Sequence, residues 1–145
     1  MLTRLLALAA LTCAASCAST TISVQDRVVV DEFAGLTWHP ATATELAGHW
    51  RVRRIQGPAA AVLMDISYWI DADGSFSGAA LFSGPPPTYQ VLSGAWSLAA
   101  DGMLQLGEDA EAAQAEVAPR VAPAQEVLRL TGAEGSLVFE RAEVQ

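Results

Sequence analysis

The sequence predicts an all-β domain, a small antiparallel up-and-down barrel or strongly curled meander sheet of about six to eight strands. Three observations carry that expectation. Apolar and polar residues alternate with a period of two over Leu63–Ile70, Ser75–Phe82 and Tyr89–Leu98. Acidic-Gly pairs recur at Asp73-Gly74, Asp101-Gly102 and Glu134-Gly135, and such pairs close tight hairpins. The one segment with helix-forming composition, Glu108–Ala113, has no apolar face.

Taken in order, the chain opens on Met1-Leu2-Thr3-Arg4, a short positive start, followed by an apolar run from Leu5 to Leu11. Small residues Ala14-Ala15-Ser16 then precede Cys17. Charge, apolar core and small-residue zone make an export signal over residues 1–17. The apolar run is far shorter than the roughly 20 residues a helix needs to cross a bilayer. Residues 18–44 read as a tether, either a linker or a cover for one end of the domain. Ser23–Val30 could form a strand through Val28-Val29-Val30, and Pro40 disfavours helix.

Strands begin at Trp50, and the first ends near Ile55, before Gly57-Pro58. Leu63–Ile70 follows, with Met64, Ile66, Tyr68 and Ile70 on the face expected to be buried and Asp65 on the solvent face. Ser75–Phe82 puts Phe76, Gly78, Ala80 and Phe82 on one side. After the rigid Gly84-Pro85-Pro86-Pro87 loop, Tyr89–Leu98 aligns Leu92, Gly94, Trp96 and Leu98. Met103–Leu106 is a short strand. Residues 107–120 read as an acidic loop or frayed helical turn, and Val117–Val121 as an edge strand confined by Pro119 and Pro123. Glu126–Thr131 and Ser136–Arg141 are the last two strands. The domain is expected to span 45–145.

Composition narrows the function. Cys13 and Cys17 both belong to the signal, so the folded body has no disulfide, thiolate nucleophile or cysteine metal site. The net charge is −8, and removing Arg4 with the signal makes it one unit more negative. All eight basic residues are arginine. Such an acidic chain argues against nucleic-acid binding and against attraction to anionic lipid.

Two resemblances follow from particular residues. The signal ending in Cys17 resembles that of bacterial lipoproteins, which implies lipidation of Cys17 and an anchor in the membrane. Departures are Ala14 where Leu is usual and the alternative of plain cleavage after Ala18, which would give a periplasmic or secreted soluble protein. Two acyl chains at about 0.8 kcal/mol per buried CH₂ anchor stably. Ala18-Ser19 lacks an aspartate retention signal, so the expected destination is the outer membrane. Leu46-Ala47-Gly48-His49-Trp50-Arg51-Val52 resembles the opening strand of a lipocalin-type barrel, with its Gly-x-Trp motif. The resemblance implies that Trp50 plugs one barrel end, that Arg141 of the last strand lies over it, and that Gly48 lets the chain enter without a clash. The long helix packed beside true lipocalins is missing. A second outline, that of META-type envelope lipoprotein domains, is similar at Leu46–Trp50, Asp73–Gly78 and Leu137–Phe139, but lacks its Gly-Cys-Asn segment.

Catalytic signatures are scarce. His39 and His49 are the only histidines. A zinc site would need both plus carboxylates, and they read as unrelated. Asp71-x-Asp73-Gly74 echoes half a calcium loop, but Phe82 stands where the closing Glu belongs. No Gly-x-Ser-x-Gly occurs. The expectation is therefore a non-catalytic monomer without cofactor or metal, binding a small hydrophobic molecule or lipid through Tyr68, Phe76, Phe82 and Trp96 in the barrel mouth. The alternative is a structural or interaction lipoprotein with a filled core.

Overall fold

The computed structural model describes residues 31–121 and 124–143. The signal, Cys17 and the first part of the tether, including Ser23–Val30, lie outside the described residues. Backbone contacts divide the chain into Met1–Glu32 and Phe33–Gln145, and the second unit is the barrel.

Among the described residues, nine strands form one antiparallel sheet: β1 (His39–Pro40), β2 (Gly48–Gln56), β3 (Leu63–Ile70), β4 (Ser75–Phe82), β5 (Thr88–Leu98), β6 (Met103–Leu106), β7 (Ala113–Val121), β8 (Ala124–Gly132) and β9 (Gly135–Arg141). Each of β2 to β8 pairs with the next, except that β2 also pairs with β9, and this closes an eight-strand up-and-down barrel. The expected class is therefore the observed one. β1 is the extra strand. It lies on β7 beyond the end of short β6, with His39 opposite Val117 and Pro40 opposite Glu116.

The turns form for local reasons. At Asp73-Gly74 the Asp73 carboxylate accepts hydrogen bonds from the Ser75 backbone N–H at 2.9 Å and from its hydroxyl at 2.6 Å. Those bonds hold the Asp73 carboxyl below the ordinary carboxylate range. Gly74, at φ +93°, supplies the left-handed step.

Two bulges correct the simple alternation. β2 shifts register between Val52 and Arg54, so Ile55 instead of Arg54 joins the row facing Phe139 and Leu137. Arg54 turns outward over the Phe33 ring, 4.7 Å from its centroid. β3 shifts between Leu63 and Asp65. Leu63 packs on the core, whereas Met64, expected inside, is 55% exposed. A bulge inserts one residue and moves everything before it to the opposite face. Asp65 faces solvent, as its place in the alternation predicted.

Residues 107–121 depart from expectation. β7 is a nine-residue strand paired with β8 from Gln114 to Val121 and flanked on its other side by β6 and β1. It is not an edge strand. Pro119 is tolerated because it lies past the last residue paired with β1. The acidic loop is limited to 107–112.

The tether also changes. Phe33 is buried with Ala118, Val127 and Val138 on the outer barrel wall, and Leu36 and Trp38 pack beside it. Arg129 lies over Trp38 at 4.2 Å and bonds Glu116 at 2.6 Å. The segment from Phe33 onward is thus part of the barrel unit, and the boundary moves from residue 45 to 33.

One end of the barrel is shut. The short helix α1 (Ala43–Leu46) starts on a capping box in which Thr42 and Glu45 bond each other reciprocally. Leu46 and Trp50 are fully buried, and Trp50 Nε1 donates to the Leu46 carbonyl at 2.7 Å. Arg141, opposite Trp50 in register, lies 4.4 Å over its ring. Its guanidinium donates to the Ala47 and Glu45 carbonyls at 2.7 and 2.6 Å and to Glu126 at 2.8 Å. These carbonyls are the acceptors that the end of α1 leaves without helical partners. Gly48 sits at φ +142°, and a Cβ there would collide with Arg141 Nη1.

Arg141→Lys keeps the charge but loses the planar fork and the ring stacking. The expected cost is about 2–4 kcal/mol, from a cation–π contact and charge-assisted bonds to two carbonyls. A denaturant midpoint unchanged from wild type would show that the barrel end does not depend on this group.

Candidate functional site

The other end is open. β2, β4, β6 and β8 run towards it and β3, β5, β7 and β9 run away from it, so the connections after β2, β4, β6 and β8 stand there, and those after β2, β6 and β8 border the cavity. Inside the rim lies a cavity of about 230 Å³. Its wall is Tyr68 of β3, Leu104 and Leu106 of β6, Leu130 of β8 and Leu137 of β9. Ala113, Gly132 and Gly135 line it with almost no side-chain volume, and that is why space remains there. Glu111 and Glu134 stand at the rim. No arginine is among the lining residues.

Tyr68 is the polar element of the wall. Its ring meets Phe76 edge-on at 6.2 Å and Phe139 at 5.8 Å, which fixes its orientation. Gly78, opposite it on β4, makes room: a Cβ there would come within 2.5 Å of the Ser67 carbonyl and 2.9 Å of the Tyr68 ring. Tyr68 is half-buried, and its hydroxyl is the polar group that this side chain brings to the cavity wall. Burial pushes its pKa up to about 12. At ordinary pH it is a neutral donor and acceptor in an otherwise apolar wall.

The other expected binding residues sit elsewhere. Phe76 is buried in the core. Phe82 and Trp96 pack against the core without lining the cavity. Trp96 Nε1 donates to the Asp71 carbonyl at 2.8 Å, so its indole secures the β3–β4 turn. The barrel-end residues Gly48, Trp50 and Arg141 lie at the shut end, away from the cavity. The lining leucines were present in the sequence as alternating positions of Met103–Leu106, Glu126–Thr131 and Ser136–Arg141, but alternation marks an inward face without marking a void.

The histidines stay apart. His39 Nε2 lies 2.8 Å from Glu45 Oε1 at the start of α1, and this bond with those from Thr42 holds the Glu45 carboxyl below its usual range. His49 stacks on Trp69, centroids 3.7 Å apart and planes 7° from parallel. Partial burial, and then the nearby Arg51 charge, lower its pKa. Among the described residues no group of three His, Cys, Asp or Glu is placed to hold a metal ion. No family model, curated protein or solved structure matches this chain.

The Tyr68 environment has a measurable consequence. The native state keeps the phenol proton up to about pH 12, whereas an unfolded tyrosine loses it near 10. The unfolded chain therefore binds fewer protons across that window, and stability falls as pH rises through it, by about 3 kcal/mol in all. Of the two tyrosines, the phenolate signal removed by Tyr68→Phe is expected to titrate near 12. Titration near 10 would place the hydroxyl in water.

Proposed function

We propose that this protein is a non-catalytic, lipid-anchored barrel of the bacterial envelope that holds a small hydrophobic molecule in its open end. The observation that carries the ligand is the cavity beside Tyr68. It is larger than the roughly 150 Å³ apolar cavity that admits benzene and smaller than the roughly 300 Å³ at which drug-sized sites begin. A single ring or a short alkyl chain fits it. The anchor rests on the residue order before Cys17, and the lipocalin-like reading rests on Gly48, Trp50 and Arg141 together with the up-and-down barrel.

The rim restricts the ligand further. Glu111 and Glu134, in a chain of net charge −8, repel an anionic head group. The ligand is neutral or cationic, with one polar atom placed to bond Tyr68. Burying its apolar surface contributes about 25 cal/mol per Å², which for so small a molecule gives micromolar to millimolar affinity.

A fluorescent apolar probe displaced by small ligands tests this reading. Neutral and cationic ring compounds are expected to displace it, and carboxylates of equal size to compete at least about tenfold less well. Ala113→Phe, which fills the cavity from an accommodating wall position, is expected to weaken binding by at least about tenfold with the barrel still folded. Binding unaffected by that substitution, or a probe that does not bind, would favour the filled structural barrel instead.

A further inference from the structure

β5 is the longest strand of the barrel, and most of its second edge carries no partner among the described residues. It pairs with β4 continuously from Thr88 to Ala95. With β6 it pairs only through Trp96, Ser97 and Leu98, and one further bond joins Gly107 N–H to the Ala95 carbonyl. From Thr88 to Gly94 no backbone hydrogen bond among the described residues is made on that side.

The direction of the free groups follows from the ladder. In an antiparallel pair, alternate residues turn their N–H and C=O to opposite sides. Trp96 N–H donates to the Gly74 carbonyl on the β4 side, while the Ala95 carbonyl accepts on the β6 side. The register between β4 and β5 is unbroken, so Tyr89, Val91 and Ser93 turn theirs to the open side. The side chains there are exposed, Tyr89 by 76% and Val91 by 82%.

Between Tyr89 and Ser93 this edge has none of the usual protections. Lysines, prolines, bulges or inward charges normally blunt an exposed edge. Here the chain from Gly74 to Ala100 contains no charged residue at all, in a protein of net charge −8. Self-contacts that bring the carboxylates of two copies together are repulsive. The β4–β5 hairpin is the part where two copies can meet without that repulsion.

We infer that the free edge of β5 pairs antiparallel with the same edge of a second copy of this chain, joining two barrels through a continuous sheet. The register is self-complementary about Val91. A two-fold axis there sets Val91 against Val91 and Tyr89 against Ser93, and all of these residues direct their hydrogen-bonding groups to the interface. The large Tyr89 ring then meets the small Ser93, and the two valines pack on the outer face. Pro87, with no N–H, ends the ladder on each side. This pairing replaces the monomer expected from sequence, and it does not depend on a ligand in the cavity.

Sedimentation of the purified protein across micromolar concentrations tests the pairing. A concentration-dependent dimer is expected. Val91→Pro removes an edge N–H that no bond among the described residues uses, and Val91→Lys places a charge on each side of the two-fold axis. Both are expected to weaken association by at least about tenfold while the circular dichroism of the barrel persists. Should Val91→Pro fail to fold, Val91→Lys still decides. A monomer throughout the range would overturn the proposal, as would a dimer indifferent to Val91→Lys. So would fast exchange of the Tyr89, Val91 and Ser93 amides within a dimer.

Discussion

Arg141 is the group on which the arrangement depends. It sits on the last strand, beneath it lies Trp50 of the first barrel strand, and it bonds the end of α1 and Glu126 of β8. A barrel without a disulfide has to fix its closing seam by packing and hydrogen bonds alone. One planar cation does this at the β2–β9 seam, because its face stacks on an indole while its edge reaches carbonyls that the short helix leaves unpaired. Gly48 is glycine at that seam because any side chain would stand where the guanidinium lies.

Shutting one end in this way decides where the other features fall. Trp50, Leu46 and Phe139 fill the barrel near the seam. Towards the open rim the inward positions become Ala113, Gly132 and Gly135, and the volume they leave is the cavity. The same asymmetry shapes β6. It is short, so part of β7 turns to β1 for its second partner and the first half of β5 has none among the described residues. The acidic loop after β6 then contributes Glu111 to the cavity rim. The rim charge and the open stretch of β5 among the described residues both follow from β6 ending early, whereas the cavity follows from the small residues that face it.

Much of the barrel was legible in the sequence, and the reasons are physical. Leu63–Ile70, Ser75–Phe82 and Met103–Leu106 have the bounds that the two-residue period and the acidic-Gly turns imply. What failed had no local signal. The bulge that moves Met64 outward depends on where Leu63 meets Phe82 across the sheet. β7 is poor in β-branched residues and carries a proline, and pairing along its length with β8 overrides that composition. Residues 33–44 looked like a tether because their apolar residues have no period, yet Phe33 and Trp38 find arginine faces and a small apolar patch on the outer wall. The candidate site was legible only through Tyr68. Aromatic content pointed to Phe76, Phe82 and Trp96 as well, but large rings fill space, and the void lies where alanine and glycine face inward.

A cavity of this size and lining at the open end suits the small apolar molecule proposed for it. Native mass spectrometry of the protein, purified gently from its own host, tests that proposal most directly. A reproducible adduct of low mass, neutral or cationic, that is lost on denaturation is expected. A polypeptide whose native and denatured masses agree would contradict it.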